Sequence, residues 1–342
     1  MKTRSHLLTL LSLLIGGLLF VLVVQQTGTR ELWERVRTLD ARFAWILAAS
    51  AVRPVLRAYA WLRCLQEEER QAGFFSLWRA RLIGDAIGNL TTAGPLLAEP
   101  ARLVFLGGHV PFQAAAASLS LELVSYLFSA CLMMLAGLII LLATGAVAPV
   151  LRTASIIAAA VLLVVVLCAA WLWWRRWSLV GNLRKVSARA GGLHRLIQTI
   201  HHKIEPLWQR LLQLERHNLE FYRQRPRDFA LVCLCEAGFH FFGVVEIWLT
   251  LHLLGAPVSP LTAFIFEAVN RIINVAFTFV PVKLGVDEAG TGLLAGALGF
   301  GSVTGVALAV YRKLRVLFWT ALGLLLLLSL YVQRRLGKVA ET

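Results

Sequence analysis

Long apolar runs are the main feature of the sequence. A membrane-spanning helix needs about 20 predominantly apolar residues, and the pattern predicts six spans, at 7–24, 43–62, 113–142, 154–174, 229–254 and 303–331. The second run is the least apolar, because it carries Arg53, Pro54 and Arg57. The first follows Lys2 and Arg4, as a secretory signal would. It is too long for a typical signal-peptide core and has no convincing cleavage site, so we expect a retained helix.

Two partly apolar stretches, 82–106 and 260–300, are not counted among these spans. Both contain helix breakers, in LTTAGPLLAEP and in FTFVPVKLGVDEAG, which favour a turn inside the segment. If either stretch crossed the membrane once, the loops after it would change sides. The excess of Lys and Arg on one side would then be reversed for that part of the chain. We therefore predict two re-entrant hairpins, the first entering from the cytoplasm and the second from outside. Two kinked spans with incidental polar residues are the alternative.

The two predicted hairpins resemble each other. Each begins with an opposite-charge pair four residues apart, Arg81 with Asp85 and Glu267 with Arg271, and each continues with Asn, Pro and Glu, at Asn89, Pro95 and Glu99 and at Asn274, Pro281 and Glu288. Paired, interrupted apolar segments that enter from opposite faces are typical of inverted-repeat transporters. The predicted fold is therefore all-α, a polytopic membrane helix bundle with two opposed hairpins in an inverted-repeat arrangement.

We predict one integral membrane domain over 1–342. Its first half, 1–174, contains the hairpin 82–106, and its second half, 229–342, contains the hairpin 260–300. Between them, 175–228 is a basic cytoplasmic segment. Apolar residues recur there every three to four positions, at Leu193, Ile197, Ile200, Ile204, Leu207, Leu211 and Leu214, which predicts an amphipathic helix that Pro206 divides or kinks.

Composition supports a membrane protein. Hydrophobic residues make up 58% of the chain and charged residues 15%, against about 45–50% and about 25% in soluble domains. The net charge of +15 does not require nucleic acid, because most loop Lys and Arg residues fall on one side of the predicted membrane. By the positive-inside rule both termini are cytoplasmic, and we expect a bacterial-type cytoplasmic (inner) membrane.

Ionisable residues of both signs fall within the predicted spans and hairpins. Each costs roughly 2.5–3.5 kcal/mol at the bilayer centre, so such residues usually face a partner or a cavity. The basic ones are Arg53, Arg57, Arg102, Arg271, Lys283, Arg312, Lys313 and Arg315, and the acidic ones are Asp85, Glu99, Glu122, Glu236, Glu246, Glu267, Asp287 and Glu288. Internal ion pairs between helices and a polar cavity that binds a lipid headgroup are both open.

For the cavity we predict two sets of site residues. Arg binds phosphate through a bidentate fork and Lys as a point charge, and the predicted headgroup contacts are Arg271, Lys283, Arg312, Arg315, Arg102, Asn89 and Asn274. The carboxylates would bind the cationic part of a headgroup or carry a coupling proton, and they are Glu122, Glu236, Glu288, Asp287 and Glu99.

Motifs for catalysis are missing from the sequence. It has no GxxxxGK[ST] loop, no G-x-S-x-G, no HExxH and no dinucleotide fingerprint on a strand, so nothing in it argues for an enzyme, a cofactor or a metal. Five cysteines, Cys64, Cys131, Cys168, Cys233 and Cys235, have no zinc or redox spacing and are expected to be small buried apolar residues.

One motif resembles a known family. The pattern N-x6-P-x-x-L-G-x-x-E from Asn274 to Glu288, followed by an apolar helix with Arg312, Lys313 and Arg315, is similar to the lysylphosphatidylglycerol synthase transmembrane family. In the first hairpin Asn89, Pro95, Glu99 and Arg102 resemble the N-terminal motif of that family, and Glu122 lies where its next helix often has Glu. The resemblance covers roughly 40–330.

The resemblance implies a helical bundle that moves lipids between leaflets. In two-domain members that bundle is fused to a soluble aminoacyl-tRNA-dependent transferase. This chain ends at Thr342, so lysylphosphatidylglycerol synthesis is not expected. The family usually has glycines after each hairpin proline, where this chain has Leu96-Leu97 and Val282-Lys283, and we therefore expect a different lipid.

The resulting hypothesis is a lipid flippase whose partners are anionic or zwitterionic phospholipids. Its oligomeric state, including a homo-oligomer, is left open. The alternative function is an intramembrane transferase or accessory subunit that acts on a polyprenyl-linked or hopanoid lipid.

Overall fold

The computed structural model describes residues 41–91, 94–106, 110–145, 149–175, 181, 194–276 and 286–339. Every regular element in those residues is helical, as predicted. The α-helices are α1 Phe43–Cys64, α2 Phe74–Leu90, α3 Gly94–Leu106, α4 Phe112–Ala143, α5 Pro149–Arg175, α6 His194–Gln224, α7 Pro226–Leu253, α8 Pro260–Ala276, α9 Val286–Ala297 and α10 Ser302–Val339, and a 3₁₀-helix occupies Glu68–Ala72. The predicted span 7–24 and the turn residues Pro281, Lys283 and Gly285 lie outside the described residues.

Four helices are long and apolar enough to cross a membrane. They lie at Phe112–Ala143, Arg152–Leu172, Pro226–Leu253 and Ser302–Gln333, and they coincide with four of the six predicted spans. The predicted span 43–62 is also a helix, α1, with Pro54 in its interior. Arg53 and Arg57 interrupt its apolar run. Helix α5 exposes a run of large apolar side chains, among them Ile157, Val164 and Leu167, as expected for a helix in contact with hydrocarbon. The protein is therefore a membrane protein with several apolar helices.

The predicted hairpin segments each contain two short helices that pack together. In the first, Arg102 on α3 pairs with Asp85 on α2. Helix α2 begins at Phe74, earlier than the predicted residue 82, because Leu77 and Ala80 extend it onto an apolar cluster around Trp61. In the second, α8 and α9 fall within 260–300, and α9 also packs against α10. Re-entry of these hairpins into a membrane stays a prediction.

The predicted amphipathic segment forms one helix, α6, which continues through Pro206 to Gln224. Its last turns dock on the bundle. Phe221 is buried with Leu121 of α4 and Val232 of α7, and the Tyr222 ring packs edge-on against Phe229 at 4.9 Å between centroids. This end of α6 is therefore fixed to the bundle by apolar contacts.

The two halves of the chain make the same pattern of contacts. In each half a long helix is followed by two short helices and a second long helix, α1 to α4 and α7 to α10. Helix α1 packs against α7, while α2 packs against α10 and α8 against α4, so each half receives the first short helix of the other. Arg225, just before α7, donates to the Leu65 carbonyl just after α1 at 2.8 Å, and α1 and α7 therefore run antiparallel.

Two apolar clusters follow the same pattern at opposite ends of the bundle. The end of α1, the start of α2, the end of α3 and the start of α4 contribute Trp61, Leu77, Leu106 and Leu119 to one of them. The end of α7 and the corresponding parts of α8, α9 and α10 contribute Leu251, Ala263, Leu294 and Leu308 to the other. Because α1 and α7 are antiparallel, the two clusters lie at opposite ends of the bundle.

A single sequence separation relates the halves. Gly137 and Gly323 are 186 residues apart (323 − 137 = 186), and so are Arg81 and Glu267 (267 − 81 = 186) and Asp85 and Arg271 (271 − 85 = 186). The same shift places the bounds of α2, Phe74–Leu90, on those of α8, Pro260–Ala276. The hairpins thus share one register in which the sign of the charge pair is reversed.

Gly137 and Gly323 mark equivalent close approaches between the halves. A Cβ on Gly137 of α4 would collide with the Ala268 Cβ on α8, and a Cβ on Gly323 of α10 would collide with the Leu82 carbonyl and lie 2.7 Å from the Ala86 Cβ on α2. Glycine lets helix backbones approach this closely in membrane proteins. The absence of a side chain at these two positions therefore sets the distance between the halves.

Substitution of either glycine by alanine should destabilise the bundle. Overpacking at a tight contact typically costs about 1–3 kcal/mol, so Gly323→Ala and Gly137→Ala should each lower the unfolding temperature of the protein in detergent. Gly296→Ala on α9 is the matched control, because its Cβ would meet no atom within 4 Å. Equal unfolding temperatures for the three variants would contradict the close approach of α2 to α10 and of α4 to α8.

Candidate functional site

Charged side chains fill the interior where the two halves meet. Glu122 is fully buried, Glu246 and Arg81 are 2% exposed, and Glu267 is 4% exposed. Because ionised groups are costly in hydrocarbon, the fold directs them away from the outer surface and towards one another. They form two clusters, one on each side of a pair of aromatic rings.

The first group, here called the Glu122 cluster, consists of Arg57, Arg81, Glu122 and Glu236. Arg57 on α1 donates its Nε–H to Glu122 Oε1 on α4, and the Arg81 Nη2 on α2 lies 2.7 Å from the same oxygen. Glu236 on α7 is less close, with its Oε1 at 3.7 Å from Arg57 Nε. One buried carboxylate therefore holds arginines from two other helices, and α7 contributes the fourth member.

The second group, here called the Glu246 cluster, consists of Arg53, Glu246, Glu267, Arg271 and Arg315. Glu246 Oε2 on α7 accepts from Arg53 on α1 at 3.2 Å and from Arg315 on α10 at 2.9 Å. Glu267 Oε1 on α8 accepts from Arg271 at 2.7 Å and lies 3.5 Å from Arg53 Nη2. The cluster thus joins α1 to three helices of the second half.

Gly243 of α7 permits this arrangement. A Cβ on Gly243 would lie 2.6 Å from Glu267 Oε1 and 3.5 Å from the guanidinium carbon of Arg53. A side chain at this position would therefore push the carboxylate away from α7.

Tyr126 of α4 and Phe239 of α7 separate the two clusters. Their ring centroids are 5.6 Å apart. The guanidinium carbon of Arg57 lies 3.8 Å from the Tyr126 ring centroid, and that of Arg53 lies 4.4 Å from the Phe239 centroid. The Tyr126 hydroxyl also accepts from Arg271 Nη1 at 3.0 Å. Cation–π attraction is strongest where water is excluded, so these rings help to hold three arginines in the interior.

The two clusters correspond under the internal repeat. The Glu122 cluster joins α7 to α1, α2 and α4, and the Glu246 cluster joins α1 to α7, α8 and α10. Exchanging the halves converts one set of helices into the other. Arg53 and Arg57 are four residues apart on α1, so the clusters are about 6 Å apart along that helix.

Further ion pairs lie at the hairpins. Arg102 pairs with Asp85 and Glu99. Arg312 Nη2 on α10 lies 2.5 Å from Asp287 Oδ1 and 2.9 Å from Thr291 Oγ1 on α9, and Lys313 pairs with Glu288. These pairs fasten each hairpin to itself or to the long helix beside it.

The predicted i,i+4 pair of Arg81 with Asp85 is wrong, whereas that of Glu267 with Arg271 is confirmed. Arg81 pairs with Glu122 and Asp85 with Arg102. An exposed i,i+4 pair is worth only about 0.3–0.5 kcal/mol. A buried arginine without a carboxylate would cost far more free energy, so Arg81 and Asp85 pair with residues of other helices.

The predicted headgroup residues are spread over the bundle. Among the described ones Arg102, Arg271, Arg312 and Arg315 are each paired with a carboxylate. Asn89 donates to Thr320 Oγ1 on α10 at 3.1 Å, and Asn274 is half-buried on α8. Lys283 lies outside the described residues. The headgroup role of all seven remains a prediction.

The predicted carboxylates divide between the clusters and the hairpins. Glu122 and Glu236 belong to the Glu122 cluster, while Glu99, Asp287 and Glu288 lie at the hairpins. The predicted site residues did not include Arg53, Arg57 or Glu246, although each is a charged residue within an apolar run. Tyr126 was also missed, and its sequence signal is a position one helical turn after Glu122.

Removal of Glu122 should strongly destabilise the protein, because it leaves Arg57 and Arg81 buried without their carboxylate. Breaking a buried ion pair in this way costs about 3–5 kcal/mol, so Glu122→Ala should unfold well below the wild type when melted in detergent. Glu220→Ala on the exposed face of α6 is the control. A melting temperature for Glu122→Ala equal to that of the control would refute the pairing.

Comparison with known proteins gives one match, to a family. Neither the curated proteins nor the solved structures contain a match to this chain. The sequence model of the lysylphosphatidylglycerol synthase TM region matches residues 9–333, and this interval contains both hairpin segments and both charged clusters. The chain therefore belongs to the lysylphosphatidylglycerol synthase transmembrane-region family, as its motifs predicted.

Proposed function

We propose that the protein moves a phospholipid with an anionic or zwitterionic headgroup between the two leaflets of the membrane. The observation that carries this proposal is the pair of buried arginine–glutamate clusters between two equivalent halves. Membership of a family named for a lipid synthase supports a lipid as the substrate. The proposed location is a bacterial-type cytoplasmic membrane with both termini in the cytoplasm.

Stability alone is a poor reason for such clusters. Replacing a buried ion pair with well-packed apolar residues is often neutral or stabilising, and this interior nevertheless keeps several ion pairs. A guanidinium binds phosphate through the same two-pronged geometry with which it binds carboxylate. The arginines can therefore exchange a glutamate for a lipid phosphate without becoming unpaired.

The proposed mechanism opens the clusters one at a time. Opening the Glu246 cluster frees Arg271 and Arg315 for a headgroup from one end of the bundle, while the Glu122 cluster keeps the other end closed. Opening the Glu122 cluster and reclosing the first then releases the headgroup at the opposite end. Both clusters are intact in the present structure, which corresponds to a closed state in this scheme.

The hairpin residues would guide the headgroup. Arg102 lies between the two helices of the first hairpin, where it pairs with Asp85 and Glu99. Arg312 and Lys313 lie on α10 beside the second hairpin, where they pair with Asp287 and Glu288. In the proposal these basic residues receive the phosphate before and after it passes the clusters, together with Lys283. The acyl chains stay in the bilayer, because the outer helix surfaces are apolar.

Leaflet exchange in vesicles tests the proposal. The purified protein is reconstituted with fluorescent phosphatidylglycerol or phosphatidylethanolamine, and dithionite reduces the label in the outer leaflet. We expect the protein to accelerate exchange of both lipids, and to leave a labelled diacylglycerol, which has no phosphate, at its protein-free rate. If neither phospholipid exchanged faster than in empty vesicles, the proposed function would be wrong.

Arg271 gives the sharper test of the phosphate contact. Arg271→Gln should slow phospholipid exchange by roughly tenfold or more, because a hydrogen bond to a charged group contributes about 1.5–3 kcal/mol and 1.4 kcal/mol is a factor of ten. Arg271→Lys keeps the charge without the fork and should recover only part of the rate. Glu220→Gln is the control.

Thermal unfolding of the same variants separates this account from a structural role. Variants that lost stability but exchanged lipid at the wild-type rate would assign Arg271 to the scaffold instead of the headgroup.

A further inference from the structure

Glu236 differs from the other buried carboxylates of the interior. It is 1% exposed, and within the part of the chain that the structure describes neither of its carboxyl oxygens has a hydrogen-bond partner. Its nearest cationic nitrogen is Arg57 Nε, at 3.7 Å. Glu246 and Glu267, by contrast, each accept a hydrogen bond from a guanidinium.

The arginines near Glu236 are directed elsewhere. Arg57 donates to Glu122, and Arg81 also pairs with Glu122. An ionised carboxylate that is buried without hydrogen bonds is so unfavourable that such a group takes up a proton instead. Glu122 takes the two nearby arginines, and the arrangement therefore favours a neutral carboxyl group at Glu236 in this closed state.

One side of Glu236 borders an apolar cluster. Its neighbours along α7, Val232 and Cys235, belong to an apolar cluster with Ala60, Cys64 and Leu121. Such a cluster favours a neutral group over a hydrated headgroup ammonium. This favours a proton over a lipid cation as the species that Glu236 holds.

Charged and titratable groups approach Glu236 from several helices. Those that interact with it electrostatically are Arg57 and Cys64 on α1, Arg81 on α2, Glu122 on α4, Arg271 on α8, and Cys233 and Cys235 on α7 itself. Tyr222 of α6 packs on the same apolar cluster. On α10, Arg315 is paired with Glu246. Within this set Arg57 is the cation whose movement would change the charge state of Glu236 most directly.

His240 lies one helical turn further along α7, towards the Glu246 cluster. Its Nε2 is 3.0 Å from Ser129 Oγ, and its Nδ1 has no hydrogen-bond partner among the described residues. Glu236 therefore lies at the level of the Glu122 cluster, and His240 lies against the aromatic rings on the same face of α7, with its centroid 5.4 Å from that of Phe239.

We propose that Glu236 is a proton-binding site that couples lipid movement to a proton gradient across the membrane. The inference rests on the proposed function, since it assigns the coupling ion to that transport cycle. When the Glu122 cluster opens, Arg57 leaves Glu122 and pairs with Glu236. The O–H bond of Glu236 breaks, its electron pair stays on the carboxylate, and the proton passes to water at the open end. With the Glu246 cluster open instead, a proton from water at the other end forms the O–H bond of Glu236 again as Arg57 returns to Glu122.

The test imposes a pH difference on vesicles that contain fluorescent phosphatidylglycerol, with the membrane potential held at zero by potassium and valinomycin. For one proton per lipid, a difference of one pH unit should shift the ratio of label between leaflets by about tenfold. Glu236→Gln resembles the protonated group and should exchange lipid to a ratio of one at any pH difference. Glu220→Gln should behave as the wild type.

The outcomes distinguish this inference from the proposed function. A wild type that exchanges lipid to a ratio of one despite the pH difference, or a Glu236→Gln variant that still responds to it, overturns proton coupling and leaves the flippase in place. A wild type that exchanges no lipid contradicts the proposed function itself.

Infrared spectroscopy tests the proton without any transport. At neutral pH the wild type should show a protonated-carboxyl C=O band that is absent from Glu236→Gln and present in Glu220→Gln. If the wild type and Glu236→Gln gave the same carboxyl spectrum, Glu236 would not hold a proton, and the inference would fail even if the variant exchanged lipid poorly.

Discussion

The cost of placing charge inside a membrane protein governs this structure. Each arginine of the two charged clusters lies beside a buried carboxylate, which for Arg53, Arg57, Arg81 and Arg315 belongs to another helix. Glu122 binds arginines from α1 and α2, and Glu246 binds arginines from α1 and α10. Helix α1 contributes to both clusters. The ion pairs of Arg53 with Glu246 and Glu267 cross between the halves, and in the proposed cycle a charged headgroup replaces pairs of this kind.

The internal repeat gives this constraint two equivalent places. The halves share one register, and in it Arg81 corresponds to Glu267 and Asp85 to Arg271. Among the members of the clusters this register relates only Arg81 to Glu267, so the clusters join equivalent helices but differ in chemistry. The first holds a carboxylate between two arginines, with an unbonded Glu236 beside it. The second alternates arginine and glutamate. Such a difference would give the two ends of a transport cycle unequal affinities for anions and protons.

Much of the fold follows from the sequence, and less of the site does. Apolar runs predict α4, α5, α7 and α10, because hydrocarbon selects their length and composition. The common register was also present in the sequence, because Pro95 and Pro281 have the same separation as Gly137 and Gly323. The Asn and Glu residues of the two hairpins have other separations, so aligning the hairpins on them does not reveal it.

The partners of the charges were not predictable in the same way. Neighbouring residues suggested Arg81 with Asp85, whereas the choice of Glu122 depends on how α2 and α4 pack.

The most direct measurement is an experimental structure of the protein in nanodiscs that contain phosphatidylglycerol. We predict a lipid phosphate within hydrogen-bond distance of Arg271 or Arg315, with the corresponding glutamate displaced. Intact clusters in every particle class, with lipid only on the outer helix surfaces, would contradict the account.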